Sequence, residues 1–234
     1  MADQDDLKRQ VGERAAALVK PGMKLGLGTG STAARFIEAL GTRIKADGLE
    51  CIGVPTSEVT RRQANEVGIP LGDLDQLVEL DLCVDGADEI DPELRLIKGG
   101  GGALLREKIV ATASRRMIVI ADQSKIVDVI GDFPLPIEIV RFGVESTRRE
   151  IEQAARNASC GGPITIRLQE NGNPYITDQG NIIVDCDFRR MEYPEKLAQN
   201  LSAIPGVVEH GLFIGIADGA IIATQSGIET RGRV

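Results

Sequence analysis

With 234 residues, 42% apolar and 26% charged, the chain can bury a core without disulfide or metal staples. A formal net charge of -8 and a pI near 4.9 argue against nucleic acid or an anionic membrane as main partner. Four scattered cysteines without a CxxC pair give no zinc or redox motif, and a single histidine rules out a multi-histidine metal site.

The start, "MADQDDLKRQ", is polar and acidic, unlike a signal peptide, and no apolar run reaches membrane-spanning length, so a cytoplasmic protein is expected. Leu7, Val11, Ala15 and Leu18 recur at helical spacing until Pro21-Gly22. A short buried strand follows in "KLGLG", then a helix over 32–45 and a strand in "CIGV". Ser57 is placed to cap the helix "EVTRRQANEV", which Gly68 ends. "LDLCV" and "LRLIK" read as strands, a helix is expected over about 103–114, and "MIVIA" is the next strand. Continuous apolar strands alternating with helices predict an α/β parallel sheet covered on both faces.

After "IGDFPLP" the pattern changes to strand ("IEIV"), helix (145–158), two strands around the turn-rich "ENGNPYITDQG", and a helix from 194 to about 203. Buried strands return in "LFIGIA" and "AIIATQ". Residues 132–206 are therefore expected to form a small α+β domain inserted into a catalytic domain of residues 1–131 and 207–234. His210, in "PGVVEHGLF", has no motif around it and reads as structural or surface, leaving proton chemistry to carboxylates and lysines.

Three loops fall after predicted strands, where ligands of such sheets bind, and are expected on one rim. "GTGST" lacks both the dinucleotide fingerprint and the P-loop pattern. Its glycines, the backbone N–H groups at a helix start, and the hydroxyls of Thr29, Ser31 and Thr32 still suit an anion. A tight turn with Ser31 as cap accounts for it equally well. "DGADEID" is a solvated acidic turn, a calcium loop lacking the DxDxDG order, or a place where Asp85 and Asp88 receive sugar hydroxyls. In "KGGGGALLREK", four consecutive glycines cost backbone entropy that a mere connector rarely needs. Leu104, Leu105, Ile109 and Thr112 share one face of the following helix. Glu107 lies opposite, either solvated or facing a cleft as a general base.

"GTGSTA", "DGADEID", "KGGGGALLREK" and "IADQSK", in this order, resemble the A-type ribose-5-phosphate isomerases, with "FPLPIEI" and "AIPGVVEHGLF" extending the match. The resemblance implies a Rossmann-like domain, a smaller ferredoxin-like insertion, and a homodimer or homotetramer. It implies interconversion of D-ribose 5-phosphate and D-ribulose 5-phosphate in the pentose phosphate pathway, with no metal or nucleotide cofactor. By motif, Glu107 matches the family's catalytic base. Thr29, Gly30, Ser31, Thr32, Asp85, Gly86, Ala87, Asp88, Lys98, Gly99, Gly100, Gly101 and Lys125 match its substrate-binding positions. The chemistry is compatible: one base, Lys98 and loop amides for an enediolate oxygen, Asp85 for ring opening, and a phosphate grip that includes Lys125. Two other classes are less favoured. A sugar-phosphate deaminase or CoA transferase fits the motif set poorly, and a sugar-phosphate sensor of the repressor type should carry a helix-turn-helix segment.

Overall fold

The computed structural model describes residues 4–234. In chain order the elements are α1 (Gln4–Ala16), β1 (Met23–Leu27), α2 (Ser31–Asp47), β2 (Cys51–Pro55), α3 (Glu58–Val67), α4 (Leu74–Leu77), β3 (Leu82–Asp85), β4 (Glu89–Ile90), β5 (Leu96–Ile97) and α5 (Leu104–Thr112). There follow β6 (Met117–Asp122), β7 (Leu135–Ile139), α6 (Val144–Asn157), β8 (Ile164–Ile166), β9 (Ile182–Cys186), α7 (Pro194–Ser202), β10 (Val207–His210), β11 (Leu212–Phe213), β12 (Gly219–Thr224) and β13 (Gly227–Gly232). Two compact units result. The first runs to Ala87 and resumes at Arg106–Ile126 and Gly215–Val234; the second comprises Asp88–Leu105 and Val127–Ile214.

The first unit is built on a six-stranded sheet in the order β13-β12-β6-β3-β1-β2, parallel except for the edge strand β13. Its parallel strands are mostly buried apolar runs, as the continuous runs predict. Leu25, Leu27, Val84, Ile118, Ile120 and Ile221 pack with Phe36, Ile37 and Leu40 of α2 in one cluster. Strand order reverses at the β1/β3 neighbours, the switch point where such sheets open a crevice. The expected caps are present: the Ser57 hydroxyl accepts from Thr60 N–H, and Gly68 ends α3 at φ 86°.

In the second unit β7, α6, β8, β9, α7 and β10 form an antiparallel sheet in the order β10-β7-β9-β8, the ferredoxin-like arrangement. Its core face carries Leu135, Ile137, Ile139 and Val184 against Ile151, Leu197 and Leu201. β10 was not expected as a strand. It pairs with β7 and carries His210, 4% exposed and 3.3 Å from the Ser202 hydroxyl, so this histidine is structural.

"LRLIK" departs from the expectation of a parallel strand. Only Leu96 and Ile97 pair, in a separate three-stranded antiparallel sheet, β11-β5-β4, within the second unit. The reason is local. Asp91 accepts from the backbone N–H groups of Glu93 and Arg95 and binds the Arg95 side chain at 2.5 Å. The chain therefore doubles back into a hairpin, and two apolar residues are too few to cross a central sheet.

Candidate functional site

In the first unit, three predicted segments leave the carboxyl ends of adjacent parallel strands: Thr29 to Thr32 after β1, Asp85 to Ala87 at β3, and Lys125 after β6. Asp85 is fully buried, and its Oδ1 accepts from Thr29 N–H (3.0 Å) and Gly86 N–H (2.7 Å). Gly28 makes this possible, since a Cβ there would stand 2.2 Å from Asp85 Oδ1. Thr29 does not offer its hydroxyl outward. Its Oγ1 lies 2.7 Å from Thr56 Oγ1, 2.9 Å from Ser57 Oγ and 3.1 Å from Thr60 Oγ1, which ties the β1 end to the β2 end. The run "PTSEVT" supplies these hydroxyls, and in the sequence only the cap position of Ser57 carries a local signal.

Helix α2 begins at Ser31 with Gly30 as its N-cap, at φ 106° and with no capping side chain, so Ser31 is not the cap. Ser31 instead accepts from Lys8 Nζ of α1 at 3.0 Å. Lys8 was missed in the sequence because only the apolar face of α1 was informative. Lys125, half-buried, closes a single 3₁₀ turn that Asp122 caps through Ser124 N–H.

Glu107 is only 4% exposed. The expected apolar face of α5 is corrected: Ile109 is 47% exposed and Thr112 is exposed, whereas Leu104, Glu107, Val110 and Ala111 form the buried side. Val110 lies against Gly26 of β1, and Ala113 and Arg115 hydrogen-bond with Leu80 at the entry to β3. The helix therefore runs opposite to the strands. Glu107, about one turn before Val110, lies toward the carboxyl ends of β1 and β3.

The second unit holds the other loop. Lys98 is 2% exposed, donates its backbone N–H to Gly211 O, and places Nζ 5.5 Å from the Phe213 ring centre. Asp88 Oδ2 accepts from Gly100 N–H at 2.8 Å. Gly99 (φ 106°) and Gly102 (φ 78°) occupy backbone conformations that side chains disfavour. Neither a solvated turn nor a calcium loop describes the acidic segment. Glu89 Oε1 and Oε2 accept from Phe133 and Gly131 N–H, and Asp91 is taken up by its hairpin. Burial pushes the Glu89 carboxyl above its ordinary value against those two hydrogen bonds. Among the described residues no group of three or more His, Cys, Asp or Glu is placed to hold a metal, and no helix is long and apolar enough to cross a membrane.

Residues 52–227 match the model of the ribose 5-phosphate isomerase A (phosphoriboisomerase A) family. A curated ribose-5-phosphate isomerase A of Rhodopseudomonas palustris (strain HaA2) is 58% identical over 97% of this chain and 98% of its own. The solved ribose 5-phosphate isomerase A of Methanocaldococcus jannaschii is 39% identical, with a TM-score of 0.89 over 99% of this chain and 100% of that one. A solved D-ribose-5-phosphate isomerase in complex with phospho-erythronic acid is 37% identical, with a TM-score of 0.91 over the same shares. The buried Asp85 beneath a glycine turn, the Lys98 glycine run and the buried Glu107 thus stand in a chain that belongs to the ribose 5-phosphate isomerase A family, the aldose–ketose isomerases that interconvert ribose 5-phosphate and ribulose 5-phosphate.

Proposed function

We propose that Glu107 is the general base of this isomerisation. In the open-chain sugar it takes the proton from C2, leaving an enediolate; the hydroxyl proton passes from O2 to O1, and Glu107 returns a proton to C1, which gives the ketose. The observation that carries the reading is a carboxylate 4% exposed in the first turn of a helix.

The buried Lys98 ammonium and the glycine-run amides stabilise the enediolate oxygen. Asp85 assists ring opening and Asp88 orients sugar hydroxyls. The phosphate is held by Ser31, Thr32 and the start of α2, with Lys8 and Lys125 supplying positive charge. Support for Lys8 comes from its 3.0 Å contact with Ser31. Phospho-erythronic acid, bound by the solved relative, is a phosphorylated sugar acid and fits the same donor set. Neither metal nor nucleotide cofactor enters these steps. The enzyme works in the cytoplasm as a homodimer or homotetramer.

The test is Glu107→Gln, assayed with D-ribose 5-phosphate in D₂O. Ketose formation and deuterium incorporation should fall together by ~10²–10⁴-fold while sugar phosphate still binds. Isomerisation and exchange near the wild-type rate would move the base elsewhere, with Asp85 the next candidate.

A further inference from the structure

The glycine run presents a physical problem. Residues 99–102 have no side chains, so nothing but their own backbone groups can hold them in one conformation, and glycine loses the most entropy on ordering. The second unit supplies the restraint. Arg167, just after β8, donates from Nη1 to Gly99 O at 2.8 Å and to Gly100 O at 3.1 Å. Its other edge is fixed by Asp185 of β9 through Nε–Oδ2 at 2.9 Å and Nη2–Oδ1 at 2.5 Å. The Arg167 and Asp185 side chains are 15% and 24% exposed, well below a typical surface pair. Tyr175 adds a second hold: its ring occupies the space where a Cβ on Gly102 would stand, at 2.5 Å.

Peptide geometry converts these carbonyl contacts into amide directions. The described chain has no cis peptide, and in a trans unit the C=O and the next N–H point opposite ways. Turning the Gly99 carbonyl to Arg167 sends Gly100 N–H to the other side, where it meets Asp88 Oδ2 at 2.8 Å. Turning the Gly100 carbonyl to Arg167 directs Gly101 N–H away from it in the same manner.

We infer that Arg167, locked by Asp185, is a positioning residue for the isomerisation, setting the glycine-run amides in the direction that receives the substrate's oxygens. The inference rests on the reading that this run binds the sugar phosphate. It differs from a simple brace of the fold, because a brace would protect stability and leave turnover intact once the protein is folded.

The experiment uses the full chain and compares Arg167→Gln, Arg167→Lys and Asp185→Asn with wild type. Kinetics on D-ribose 5-phosphate, thermal unfolding, and amide hydrogen exchange of segment 98–104 are measured together. Loss of the clamp should lower kcat roughly 10- to 100-fold, with KM changing less, as for a displacement of about 1 Å in a positioned group. Exchange should rise in segment 98–104 alone. Lysine should rescue only partly, since an ammonium cannot span a carboxylate and two carbonyls in one plane. Combining Arg167→Gln with Asp185→Asn should add little, because both act through one contact set. Should Arg167→Gln not fold, Asp185→Asn carries the same comparison, having kept the guanidinium. Unchanged kcat, or a loss that follows melting temperature with exchange rising across the chain, overturns the inference. Lys98→Met, run alongside, separates the failures. If it loses turnover and the Arg167 variants do not, the positioning role falls alone. If all are silent, the substrate reading of the run falls as well.

Discussion

Gly28→Ala is the most direct perturbation of the strand-end architecture. An alanine Cβ would stand 2.2 Å from Asp85 Oδ1, 2.4 Å from its Cγ and 2.5 Å from its Cα. The Cα is backbone, so no side-chain rotation relieves the clash. Ordinary contact begins near 3.4 Å, and the β1 and β3 ends must part by roughly 1 Å. Overpacking of this kind costs about 1–3 kcal/mol. The Thr29 and Gly86 hydrogen bonds to the carboxylate, each worth about 1.5–3 kcal/mol, are weakened as well. For a chain of this size the first cost alone lowers the melting temperature by roughly 2–12 °C. Asp85 moves with the strand end, so kcat/KM should drop by about 100-fold even at temperatures where the variant is folded. The assay is thermal unfolding together with ketose formation from ribose 5-phosphate. A variant that melts with wild type and keeps kcat/KM within about threefold would refute the idea that Gly28 is there to admit Asp85.

Three further outcomes are expected. Lys98→Met preserves the buried stem and removes the charge, so kcat should fall more than KM rises; the reverse split would assign Lys98 to ground-state binding of phosphate. Glu138 is fully buried on β7, where burial raises its carboxyl above the ordinary 4.5 against hydrogen bonds from Asn181 and Thr177. An acid raised in the folded state gives stability that is present below its ordinary value and lost as pH rises through the raised one. The melting temperature of Glu138→Gln should therefore gain on wild type as pH rises above 4.5, and a constant gap would contradict this. Finally, extended dialysis against EDTA should leave turnover unchanged, and loss restored by a divalent ion would place a metal in the acidic segment.

Much of the fold was legible because its signals were local and strong. Short apolar runs such as "MIVIA", bounded by turn signals, read as strands buried on both faces, and Ser57 and Gly68 punctuate α3 by their own backbone chemistry. Illegible elements depended on pairing rather than pattern. β13, "GIETRG", is mostly exposed and polar, and is a strand only because β12 lies beside it. β4 has two residues within a run of acids, and its strand character comes from the hairpin that Asp91 closes.

The candidate site shows a different limit. Motif spacing located Asp85, Lys98 and Glu107 in the chain, yet periodicity assigned the wrong side of α5. A nine-residue helix gives barely two and a half turns, and Leu104 is compatible with either face. Burying Ile109 reads as the natural choice, because a carboxylate is costly to bury and an isoleucine is not. The fold does the reverse, leaving Ile109 47% exposed and Glu107 4% exposed. That inversion violates the hydrophobic pattern, and such violations concentrate where function requires them. The same reasoning applies to residues 99–102, whose entropy cost is otherwise unexplained. Both exceptions to the folding rules fall within one stretch, Lys98 to Glu107, and both become intelligible together once that stretch is assigned the enediolate chemistry.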